Sequence, residues 1–149
     1  MSDLDALYQE ILLDHYRQPR NFGGLSGLAH AAEGYNPLCG DRVRVAARLD
    51  GDRLAEVRFE GSGCAISTAS ASIMTGLVRG RSEREAEEIF ARFRAVLQGD
   101  AGEETLAELG ELAALAGVRE FPMRVKCATL AWHTLRAALA GEAKPVSTE

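Results

Sequence analysis

Between residues 2 and 18, Leu4, Leu7, Tyr8, Ile11, Leu12, His15 and Tyr16 recur at spacings of three and four. That period predicts an amphipathic helix, with Ser2 or Asp3 as its cap and Pro19 as its stop. "NFGGLSGL" then reads as a loop. Further on the period falls to two. In "RVRVAARL", Val43, Val45, Ala47 and Leu49 share one face, "DGD" at 50–52 supplies a turn, and "LAEVRF" returns as a hairpin partner. A weaker first strand is expected around residues 29–33, giving a sheet of about three antiparallel strands.

The second half of the chain returns to helical spacing. Small residues from Ala65 to Ser72, with Ile66, Ile73, Met74 and Leu77 among them, predict a tightly packed helix over about 66–79. Ser82 and Glu85 form a capping box for the next helix, whose buried face is Ala86, Ile89, Phe90, Phe93 and Leu97, with Gly99 as the stop. A short helix over 103–116 follows, closed by Gly117. The last runs over about 123–140, with Pro122 in its first turn. Strands followed by helices predict an α+β domain over residues 1–141, a short antiparallel sheet packed against helices, with 142–149 as a loose tail.

Composition narrows the class. The 149 residues are 46% hydrophobic, enough for one core, and carry a net charge of -5, which is no footprint for nucleic acid. No apolar run approaches the ~18 residues of a membrane span. The acidic start "MSDLDALYQE" is unlike a signal peptide, and three widely spaced cysteines are unlike a disulfide framework. A cytoplasmic protein with reduced thiols and no membrane partner is expected.

Those cysteines all stand at junctions. Cys39 lies in "YNPLCGD" before a strand, Cys64 between a strand and a helix start, and Cys127 in the first turns of the last helix. Thiolates are favoured near helix N-termini. With Asp41 they would give an S₃O set of the kind zinc accepts. No CxxC pair is present, so spacing alone leaves a second reading open, in which the three pack as small hydrophobes. The Gly, Pro and Ser neighbours of Cys39 and Cys64 favour the metal reading. Arg124 and Lys126 precede Cys127 and offer cations to an otherwise anionic site; solvated surface charges are the alternative. His15, on the apolar face of the first helix, reads as a packed residue, and Trp132, Phe90 and Phe93 read as core. His133 and His30 carry no assignment. Tyr8, Leu12 and Tyr16 read as core, with an exposed docking patch as the alternative.

"NPLCGD", "GSGCAISTASASIM" and "FPMRVKCATLAWHTL" together resemble the IscU-like iron–sulfur cluster assembly proteins, and within them the SufU branch. The resemblance runs from the first helix to about residue 140. It implies the α+β fold and names Cys39, Asp41, Cys64 and Cys127 as metal ligands. Scaffold-type members carry a histidine immediately before the last cysteine, where this chain has Lys126. Their Leu-Pro-Pro-Val-Lys stretch has no full counterpart in "FPMRVK", and the capped segment 82–116 resembles the insertion of SufU proteins. These departures imply a zinc-dependent sulfur relay. Cys39 would accept persulfide sulfur from a PLP-dependent, SufS-like cysteine desulfurase, once docking supplies a substitute ligand and frees it. Sulfur would then pass to downstream sulfur or cluster acceptor proteins. Asp41 would then stay on the metal or swing toward Arg124. The rival implication is a scaffold for a nascent [2Fe–2S] cluster, with iron in place of Zn²⁺. A structural-zinc interaction module without sulfur chemistry is the reading from another class.

Overall fold

The computed structural model describes residues 3–142 and 145–147, with elements in the order the periodicities predict. Helix α1 (Asp3–Arg17) lays Ile11 and Leu12 against the core and buries His15. Ser2, one of its two expected caps, lies outside the described residues. Strands β1 (His30–Asn36), β2 (Asp41–Asp50) and β3 (Arg53–Ser62) form an antiparallel meander. Val43, Val45 and Ala47 point inward as the alternation requires, and Ala46 on the other face is buried too. The ladder of β2 and β3 shifts register between Arg48 and Leu49, just before the tight turn.

The sheet has four strands, where the sequence predicts three. Strand β4 (Val146–Ser147) pairs in parallel with Gly34 and Tyr35 on the free edge of β1, giving the order β3-β2-β1-β4. Two residues are too few to show a period. Their placement comes from packing, with Val146 against Ala32, Ala137 and Ala138.

Helix α2 (Ala65–Val78) is buried over most of its circumference, which its small side chains permit. Three of its buried hydroxyls are engaged. Ser70 donates to the Ala128 carbonyl at 2.5 Å, Thr75 donates to the Ser72 carbonyl at 2.8 Å, and Ser72 receives the Arg20 amide at 2.9 Å. The capping box of α3 (Glu83–Leu97) is present with both of its hydrogen bonds. The single helix expected over 103–116 is instead split. Helix α4 (Glu103–Glu108) ends where Gly110 takes a left-handed φ of 58°, and 3₁₀ turns carry the chain over Gly110–Glu120. Helix α5 (Pro122–Ala140) closes the fold. The core lies between the inner face of the sheet and α2, α3 and α5, around a fully buried Trp132 that stacks on Phe90 at 5.5 Å.

Candidate metal centre

Asn36 and Asp41 are the last pair of the β1–β2 ladder, so residues 37–40 form the turn and Cys39 rides on it, exposed. Asn36, buried at 1% exposure, builds that turn. Its carbonyl accepts from the amides of Cys39 at 3.2 Å and Gly40 at 2.9 Å, and its Oδ1 accepts from the Leu38 amide at 3.2 Å. Its Nδ2 donates to Cys127 Sγ at 3.6 Å, tying the turn to α5.

Asp41 turns into the protein and has no exposed surface. Its Oδ1 accepts from the Cys64 amide at 2.8 Å, and Cys64 Sγ stands 3.7 Å from Oδ2. The approach is close enough that a Cβ on Gly63 would lie 2.6 Å from Oδ1, so glycine is the residue that lets the link from β3 to α2 pass over the carboxylate. Cys64 is the N-cap of α2; its sulfur accepts from the Ser67 amide at 3.4 Å. Cys127 is buried early in α5, with its Sγ 3.4 Å from that of Cys39.

The donor atoms of Cys39, Asp41 and Cys127 all lie within 4.8 Å of one another. Cys64 joins them through Asp41 rather than as a member of that group. Tetrahedral zinc with Zn–S of about 2.3 Å sets neighbouring sulfurs roughly 3.5–4 Å apart, so the 3.4 Å between Cys39 and Cys127 is close to that spacing. Charge supports the fit. A buried carboxylate calls for a cation or full hydrogen bonding, and Asp41 has no ion pair among the described residues. In the metal-free chain Cys127 is held neutral. Burial pushes its thiol well above the ordinary 9.0, and hydrogen bonds with Asp41 and Cys39 and the charges of Cys64 and Asp41 push the same way. A bound cation would invert that balance.

Arg124 stands exposed in the first turn of α5, its guanidinium 5.9 Å from the centroid of the Phe121 ring. No ion pair joins it to Asp41 among the described residues, because the carboxylate faces inward onto Cys64. His15 is packed as expected, with Nδ1 2.7 Å from Ser72 Oγ and Nε2 2.9 Å from Glu111 Oε2. His133 sits edge-on to Phe90, with its basicity lowered by burial and then by Arg136 and Arg94. Tyr16 is exposed while Leu12 packs on the core, so the stretch of α1 from Tyr8 to Tyr16 is divided between surface and interior. The residue that sequence reasoning missed is Asn36. Its signal was present in the Asn-Pro step that opens the turn.

A sequence profile of the family described as NifU-like N terminal domain matches residues 7–140. The chain is 42% identical over 141 residues to the zinc-dependent sulfurtransferase SufU of Bacillus subtilis (strain 168), covering 95% of each. It is 41% identical over 139 residues to the iron–sulfur cluster assembly scaffold protein IscU of Streptococcus pyogenes serotype M1, covering 93% of this chain and 86% of that one. Among solved structures, FiSufU from Fervidobacterium islandicum AW-1 superposes with a TM-score of 0.81 at 35% identity, over 90% of this chain and 97% of that one. No helix among the described residues is long and apolar enough to cross a membrane.

Proposed function

Because the chain belongs to the family of NifU-like N-terminal domains, we propose that it serves iron–sulfur cluster biogenesis as a zinc-dependent sulfur acceptor working through Cys39. The observation that carries this reading is an exposed thiol on a hairpin turn whose sulfur lies 3.4 Å from a buried one. One cysteine can be reached by a partner while the other stays inside the protein. Leu38, Tyr35, Phe121 and Met123 are large exposed apolar side chains near Cys39 and Cys127 in sequence.

Cys39, Asp41, Cys64 and Cys127 would hold the metal. Zinc, when bound, supplies the positive charge that keeps coordinated thiols deprotonated. Cys64 and Cys127 stand on helices and fix the site, whereas Cys39 depends on a four-residue turn. The donor is a cysteine desulfurase of the SufS type carrying a persulfide. The Cys39 thiolate attacks the outer sulfur of that persulfide, and the donor S–S bond breaks. The donor cysteine leaves as thiolate, and the proton stays with the transferred sulfur. Asn36 keeps the turn in register with α5 during this exchange.

A scaffold role is the second reading, favoured by relatives named as scaffolds. Lys126 weighs against it. At the position before Cys127 it offers no imidazole nitrogen to a metal. Peptide mapping by mass spectrometry after incubation with a cysteine desulfurase and cysteine tests the relay. One added sulfur on Cys39 is expected, absent from Cys39→Ala. Sulfur on Cys64 or Cys127 with Cys39 unmodified contradicts it.

A further inference from the structure

The sheet face turned away from α2 and α5 carries a groove of about 660 Å³ that the metal centre does not use. Two cross-strand rows of outward side chains border it. In one, Arg44 lies between Glu33 and Glu60, with guanidinium nitrogens 3.5 Å from each carboxylate. In the other, Arg42 lies between Tyr35 and Ser62, and no carboxylate pairs with it among the described residues. Phe22 and Pro145 also line the groove, Phe22 from beside β3 and Pro145 from just before β4.

The two rows therefore differ in charge balance. Around Arg44 one cation meets two carboxylates. Around Arg42 a guanidinium faces a phenol, a hydroxyl and a cavity. A planar guanidinium fork is shaped to receive a carboxylate through two hydrogen bonds, and Ser62 can donate a third. The Phe22 and Tyr35 rings, both more than two-fifths exposed, offer apolar faces to the rest of such a ligand. The volume falls in the range of small-molecule sites, roughly 300–1,000 Å³. A globular partner would need about 800 Å² of its own surface buried, more than one such groove presents. Net charge is -5, so long-range attraction does not gather anions here, and recognition rests on the local contact.

We infer that this groove is a binding site for a small organic carboxylate with a flat apolar body, held by Arg42. The site lies at the base of the Cys39 turn, since Tyr35 and Arg42 are the last outward pair before Asn36 and Asp41 close the hairpin. The inference stands on the groove alone and is independent of sulfur transfer.

Titrating the isotopically labelled full chain with phenylacetate tests it by NMR, with phenylacetamide as neutral isostere and acetate as the carboxylate without a body. Saturable shifts are expected at the amides of Tyr35, Val43, Gly61 and Ser62. Phenylacetamide and acetate should each bind roughly ten-fold more weakly or worse. Arg42→Gln should abolish the preference for acid over amide, and Arg42→Lys should restore part of it. Equal binding of acid and amide would overturn the inference, as would the absence of saturation at millimolar concentrations. Shifts centred on Cys39, Cys64 and Cys127 would also overturn it, because the acid would then be reading the metal centre.

Discussion

A carboxylate with no exposed surface must find partners inside the protein or give up its charge, and Asp41 finds the Cys64 amide at 2.8 Å. Its position depends on Gly63 having no side chain. Gly63→Ala places a carbon 2.6 Å from Oδ1, and the carboxylate must move. Zinc affinity, read by competition with a chromogenic chelator, should fall roughly 10–100-fold, as for other groups that position ligands. Arg124→Ala should leave that affinity unchanged, because its guanidinium lies over Phe121 and not on Asp41. Asn36→Ala removes the side chain that joins the Cys39 turn to α5, and should cost the metal-free chain about 1–3 kcal/mol in urea unfolding. The places of Cys39 and Cys64 at chain junctions are legible in the sequence, because glycine, proline and serine around them mark bends rather than core. The Asn-Pro step marks Asn36 as opening a turn, but its bond to Cys127 spans 91 positions, and local pattern does not show that the same side chain reaches the last helix.

At the scale of elements, local chemistry predicts well wherever it acts alone. Ser82 and Glu85 announce the start of α3, and both bonds of the capping box form. The Glu85 carboxyl is held below the ordinary carboxylate value, chiefly by its bond to the Ser82 backbone. Ser82→Ala should destabilise the fold by about 1 kcal/mol, measured by the urea midpoint at constant slope. Where distant contacts decide, the reading from sequence falters. β4 exists because Val146 finds Ala32, Ala137 and Ala138, and the alternation rule has nothing to say about two residues. The stretch 103–116 has helical spacing throughout, yet the left-handed Gly110 splits it. From there the 3₁₀ turns bring Glu111 to His15, so that α1, α2 and this segment meet at one imidazole.

Stability of the whole molecule should report the site through pH. Without metal, the Cys127 thiol keeps its proton in the folded state, while the unfolded thiol loses it above 9.0. Stability is therefore intact below pH 9.0 and falls as pH rises beyond it. On the acid side, His133 favours its neutral form when folded, so the unfolded chain binds the extra proton below 6.5 and stability falls as pH drops. Chemical denaturation of the metal-free chain should accordingly show a plateau bounded on both sides. Zinc should remove the alkaline decline, since a coordinated thiolate no longer has a proton to lose. The most direct test of the central claim is the rate of cysteine desulfuration by a SufS-type desulfurase, with zinc-loaded protein and no iron. Wild-type protein should stimulate the rate strongly and Cys39→Ala should not. Equal stimulation by the two, or by neither, would contradict a sulfur relay through Cys39.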